Sequence, residues 1–213
     1  MLTLLNALLV AVLGLNLFAL GNSRLRSIIR IVGMQGALLG VMPLLIHHNL
    51  TWATVGVSIA TIMLKGLAIP TMLMRALREA QIKREVEPLI GFLPSLILGA
   101  LATGFALVFT TSLPLADKHT PPLLVPAALA TVLVGFILVT TRYKAITQVI
   151  GYLVLENGIF IFSLLLIEAM PLVMEMGVLL DLFVGIFVIC IIVNHINRAF
   201  SSQDTRRLVE LKE

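Results

Sequence analysis

Three ionisable side chains stand inside long apolar runs, where chemistry is the first question to ask of them. Lys65 lies in Met63-Leu64-Lys65-Gly66-Leu67, Glu156 in Gly151-Tyr152-Leu153-Val154-Leu155-Glu156-Asn157-Gly158, and Asp181 in Gly177-Val178-Leu179-Leu180-Asp181-Leu182-Phe183-Val184-Gly185. A charge at the centre of a bilayer helix costs about 2.5 to 3.5 kcal/mol on insertion scales, so each needs a partner or a task. Desolvation disfavours the charged form of a carboxylate, which lets such a group take up and return protons near neutrality. Proton relay is the chemistry these residue types suggest. Tyr152 precedes Glu156 by one turn and Ser163 follows it by two, so the three share a helical face and could hold water or donate to the carboxylate. A buried Lys loses its charge readily or stabilises a nearby acid. Snorkelling does not suffice for Lys65, because about 10 residues, or roughly 15 Å, separate it from the end of its span. His195, 14 residues after Asp181 and nearly on the same face, could pass protons to the adjoining surface, although interfacial positioning is the plainer account. The structural alternative for the acids is a polar contact between helices, made with Asn157, Asn194 or a backbone carbonyl.

The elements that must position these groups are transmembrane helices. Hydrophobic residues make up 59% of the 213-residue chain and charged residues 12%, with a mean hydropathy of +1.08. That balance is far from a soluble domain and expects an all-α, polytopic membrane protein. A span needs about 20 apolar residues, and seven runs qualify: roughly 2–21, 28–47, 52–74, 89–112, 122–140, 145–167 and 172–196. The first has no basic stretch before it and is read as a span rather than a cleaved signal. Clustered prolines (Pro114, Pro121, Pro122, Pro126) leave the ends of the fourth and fifth runs the least defined.

Basic residues fall in alternate connections: Arg24, Arg26 and Arg30; Arg75, Arg78, Lys83 and Arg84; Arg142 and Lys144; and, after the seventh run, Arg198, Arg206, Arg207 and Lys212. The positive-inside rule then expects the N-terminus outside and the C-terminus in the cytoplasm of a prokaryotic inner membrane. The net charge of +4 is thus a matter of topology, and no nucleic-acid partner is expected. The single Cys190 offers neither a disulfide nor a CxxC pair, and no HExxH, Walker-type or GxGxxG pattern occurs. A self-contained enzyme is not expected, and redox cofactors would belong to other chains.

Laying Arg24–Leu45 over Arg142–Ser163 superposes Arg24 on Arg142, Gly33 on Gly151 and Gly40 on Gly158. One added residue then brings Lys65-Gly66 onto Val184-Gly185. Two parallel three-helix units are expected. The first covers 1–77, and a basic amphipathic linker with an extra helix covers 78–121. The second unit covers 122–200 and a tail 201–213. The stripe Gly33, Gly36, Gly40 should let helices approach closely.

The stretches Gly151–Gly158 and Glu175–Asp181, the segment Leu64-Lys65 to Pro70 and the tail Leu208–Lys212 resemble the membrane subunit called hydrogenase-4 component E. In that family the last three helices are similar to the K-type subunit of complex I and to the C-type subunit of multisubunit cation/proton antiporters. There, acids on the second and third of these helices are implicated in proton transfer. The resemblance implies that Glu156 and Asp181 take those places, with Asp where complex I has Glu. It further implies a non-catalytic subunit of a membrane-bound nickel-iron hydrogenase, formate hydrogenlyase-like, beside antiporter-like and complex-I-like membrane subunits and a peripheral hydrogenase module. The nickel-iron centre and iron-sulfur clusters would lie on those partners. A bridging subunit without conduction, a subunit of a cation/proton antiporter and an independent transporter are the alternatives.

Overall fold

The structure is a computed structural model that describes residues 2–46, 52–79, 89–112, 121–166 and 177. Within them the chain is helical, with no strand, and six helices are long and apolar enough to cross a membrane. The protein is a multi-pass membrane protein. Helix α1 is Leu2–Gly21 and α2 is Leu25–Ile46; α3 (Trp52–Thr61), a π-helical segment Ile62–Ala68 and α4 (Ile69–Glu79) run on as one third span. Helices α5 (Phe92–Thr111), α6 (Leu124–Thr141) and α7 (Ala145–Ser163) follow, the last ending in a 3-10 turn at Leu164–Leu166. The seventh expected run, 172–196, lies outside the described residues, as does the tail 201–213.

Local chemistry accounts for the boundaries. Between α1 and α2, Asn22 Oδ1 accepts from the Arg24 amide at 2.9 Å, and its Nδ2 donates to Ser27 Oγ at 2.8 Å, so a three-residue turn suffices. Pro94 and Pro126 sit in the first turns of α5 and α6, where an absent N–H costs nothing. Pro70 has no such place, since it lies within the continuous third span. It cannot donate to Gly66, and its ring crowds that carbonyl, so the turn before it widens and the Ile69 amide bonds back to Leu64, five residues earlier. The helix then continues to Glu79, carrying Arg75 and Arg78 within the third span rather than in a separate linker helix. Its last turns are amphipathic, with Leu73, Ala76 and Leu77 buried and both arginines exposed.

Helices α1, α2, α7 and α6 pack in that cyclic order as a four-helix ring. The third span lies against α2, and α5 lies against α1 and α6. Alternating chain direction makes α1 parallel to α6 and α2 parallel to α7, which is the arrangement a parallel repeat requires. Yet glycines that the repeat superposes meet different neighbours: Gly33 and Gly40 face the third span, whereas Gly151 and Gly158 face α6. At Gly158 an added Cβ would come within 2.6 Å of the Val132 backbone nitrogen, so the missing side chain lets α6 and α7 pack closely.

Two apolar clusters fill the interior. One gathers Leu20, Ile29, Val32, Leu73, Leu138 and Val154; the other gathers Leu5, Leu9, Leu39, Met42, Ala128 and Phe160. On every ring helix the boundary between them is marked by a buried polar residue: Asn16, Gln35, Thr131, and Glu156 with Asn157. The protein therefore carries a polar layer at mid-depth between two hydrophobic layers.

Candidate functional site

Lys65 occupies the middle of the π segment, 13 residues from Trp52 and 14 from Glu79, the ends of the continuous third span. At 1.5 Å per residue this is about 20 Å from either end. Its backbone is held against α2 because Gly36 has no side chain: a Cβ there would fall 2.7 Å from Lys65 Cβ and 2.8 Å from its carbonyl oxygen. Close approach of α2 lets the lysine reach past it to α7. Lys65 Nζ lies 3.5 Å from Glu156 Oε1, both side chains being almost wholly buried at 7% and 6% exposure. The same ammonium sits 5.1 Å from the ring centroid of Phe160, one turn beyond Glu156. The acid and the ring together give the charge an electrostatic shell that water would otherwise supply.

Beside this pair runs a chain of side-chain hydrogen bonds across the ring. Asn157 Nδ2 donates to Gln35 Oε1 at 3.1 Å, Gln35 Nε2 to Asn16 Oδ1 at 2.8 Å, and Asn16 Nδ2 to Thr131 Oγ1 at 2.8 Å. Thr131 passes its proton donation to the Ala127 carbonyl at 2.7 Å. Each amide donates in one direction, so the chain ties α7, α2, α1 and α6 together in a single register. Amides neither gain nor lose protons near neutrality, so this arm fixes geometry. A different polar line leads up the third span, where Thr54, Ser58 and Thr61 are buried at one-turn spacing ahead of Lys65. Ser58 Oγ has no hydrogen-bond partner among the described residues.

Lys65 and Glu156, singled out from the sequence as mid-membrane charges, are thus brought into contact. Asp181 and His195 lie outside the described residues. Tyr152 shares the i, i+4 relation with Glu156, but the edge of the buried surface falls between them. Tyr152 is 40% exposed and belongs with Gln148 and Ile159 to the outer stripe of α7. Ser163 donates to the Phe160 carbonyl at 2.7 Å. Asn157, weighed as a partner for the acid, bonds to Gln35 instead.

Sequence reasoning passed over Asn16, Gln35, Thr131 and the hydroxyl line, although polar residues in apolar runs were visible. It also read Arg142 as a connection charge. Arg142 is in fact 1% exposed: Nη2 donates to the Leu20 carbonyl at the end of α1, at 3.0 Å, and the guanidinium lies 4.7 Å from the Phe92 ring at the start of α5. A cation at a helix C-terminus is favoured by the dipole and satisfies an orphan carbonyl. Among the described residues no cluster of three or more His, Cys, Asp and Glu could hold a metal ion.

A protein of Mycobacterium tuberculosis, called uncharacterized protein Rv0085, is 36% identical over 192 residues, spanning 89% of this chain and 87% of its own. The chain belongs to that protein's family. More distantly, hydrogenase-4 component E of Escherichia coli K12 is 27% identical to this chain over 150 residues, covering 70% of this chain and 68% of its own. The same similarity holds for hydrogenase-4 component E of Shigella flexneri. No family model matches the sequence, and no solved structure matches it.

Proposed function

We propose that this Rv0085-family protein is a membrane subunit of a nickel-iron hydrogenase-type complex, formate hydrogenlyase-like, in which Lys65 and Glu156 form one station of a proton path coupled to electron transfer in partner subunits. The observation that carries the reading is the Lys65–Glu156 pair, 3.5 Å apart in a polar layer at mid-depth. Similarity to hydrogenase-4 component E supplies the complex. In this reading the nickel-iron centre and iron-sulfur clusters sit on partners, the chain itself is non-catalytic, and the arginine-rich connections face the cytoplasm of the inner membrane.

A proton arriving at the Glu156 carboxylate neutralises it and weakens its attraction for the Lys65 ammonium 3.5 Å away. In the proposed path Lys65 then hands a proton on, which leaves a neutral pair at this station. Thr54, Ser58 and Thr61 offer hydroxyls on the approach to Lys65, and hydroxyls both donate and accept. Asp181 and His195 are proposed to extend the path beyond Glu156, with Tyr152 at its outer margin. Gln35 and Asn157 keep the acid's helix in register.

The test is Glu156→Gln in the assembled complex, in membrane vesicles, with proton uptake followed by quenching of a pH-gradient dye. Transport per assembled complex should fall or vanish, whatever amount of complex forms; undiminished pumping per assembled complex overturns the proposal. A second reading, a bridging subunit whose charges only pair, is favoured by the one-directional amide chain, which is a packing device. It expects Glu156→Gln to lower assembly, with transport remaining proportional to the complex formed.

A further inference from the structure

A groove of about 430 Å³ lies between α2 and the third span, lined by Ile29, Arg30, Gly66, Leu67, Pro70, Thr71, Met74, Arg75 and Arg78. Its two ends differ in chemistry. Arg30 near the start of α2 and Arg75 and Arg78 near the end of α4 bring three exposed guanidinium groups to one end of the antiparallel pair. Among the described residues no carboxylate lines the groove, and none of the three arginines has a hydrogen bond or ion pair. Below them the walls are apolar: Met74, Pro70, Ile29 and the 55%-exposed Leu67 lead to Gly66, next to the π-segment lysine. The only polar side chain among them, Thr71, already donates to the Ala68 carbonyl at 2.8 Å. From Arg78 to Gly66 is 12 residues, about 18 Å along the helix, against about 15 Å for the hydrocarbon of one leaflet.

We infer that this groove is a binding site for an anionic phospholipid, its headgroup phosphate among Arg30, Arg75 and Arg78 and an acyl chain along Met74, Pro70 and Leu67. The charge and the length argue together. Three guanidinium groups at a helix–helix groove recognise a phosphodiester, and an apolar trough one leaflet deep has no use for a soluble anion. An acidic polypeptide would match the arginines but not a trough that descends towards mid-membrane. The bound lipid also lies against the α2 contact that holds Lys65, at Gly66 and Pro70, where Gly33 and Gly36 meet the third span. The site stands independently of any proton path.

The experiment uses the purified full chain in zwitterionic detergent, with phosphatidylglycerol or phosphatidylcholine of identical acyl chains added and bound lipid counted by native mass spectrometry. Phosphatidylglycerol should be retained in preference to phosphatidylcholine. Arg75→Gln/Arg78→Gln should lower its retention by about 25-fold, at roughly fivefold for each cation lost, and leave phosphatidylcholine unchanged. Met74→Trp, which fills the trough, should lower both. Glycerol 3-phosphate, which has the phosphate without the chains, should not displace the lipid. Equal retention of the two lipids, retention unaltered by the double arginine variant, or displacement by glycerol 3-phosphate overturns the inference. So does a photo-crosslinker at Leu67 that captures a polypeptide instead of lipid in native membranes.

Discussion

Replacing Lys65 by Met removes one member of a buried charge pair and keeps nearly the same length of side chain. The Glu156 carboxylate is 5% exposed and loses the ammonium 3.5 Å away, while the cation–π contact to Phe160 goes with it. Breaking a buried pair from one side costs about 3–5 kcal/mol, because the remaining charge stays desolvated. At 25 °C this is roughly a 160- to 5,000-fold shift in the folding equilibrium. Removing both charges, in Lys65→Met/Glu156→Leu, replaces the pair by apolar groups and is often near neutral. The two single variants and the double therefore make a decisive cycle. The assay is reversible unfolding in mixed micelles, followed by helical ellipticity. Each single variant should be destabilised by about 3 kcal/mol or more and the double by about 0–3 kcal/mol, giving a coupling of about 3–6 kcal/mol. Additivity within about 0.5 kcal/mol would refute the reasoning, since independent sites add to that tolerance.

Pro70→Ala restores an amide where the third span now widens. The π segment should relax towards α geometry and rotate Lys65, so the coupling in the same cycle should fall to less than half of its value in the Pro70 background. Gly36→Ala sets a Cβ 2.7 Å from Lys65 Cβ and 2.8 Å from a backbone carbonyl that cannot yield. It should cost about 1–3 kcal/mol as overpacking, read by the same unfolding assay. Gln35→Leu removes the two hydrogen bonds that Gln35 makes in the amide chain, to Asn157 and to Asn16. At about 0.6 kcal/mol for a typical intramembrane bond and about 1.7 at most, it should cost roughly 1–3 kcal/mol. Glu156 chemistry should survive that change, so a Gln35→Leu complex that assembles should still pump.

Composition and span length expect a multi-pass helical protein, and the structure has that architecture over the described residues. The depth of Lys65 and Glu156 was also legible, because counting residues along a helix measures distance through a bilayer directly. So was the role of Gly36 in close packing. What a linear count cannot supply is azimuth, the direction in which a side chain leaves its helix relative to helices far away in the chain. Tyr152 and Glu156 are a turn apart, yet a difference of about 40° puts one on the outer stripe and the other in the core. Arg142 reads as a connection charge until the end of α1 is seen beside it, 122 residues away in the chain.

The sequence by itself determined that charged groups would stand at mid-membrane, since an apolar run of span length leaves them no other depth. Only the tertiary structure decided that Lys65 and Glu156 belong to one pair, that Asn16, Gln35, Thr131 and Asn157 form one chain, and that Arg30, Arg75 and Arg78 surround one groove. The physical reason is that a buried charge or amide must find its partner across helices. Which helices are neighbours depends on how every apolar face packs at once, and no single segment holds that information.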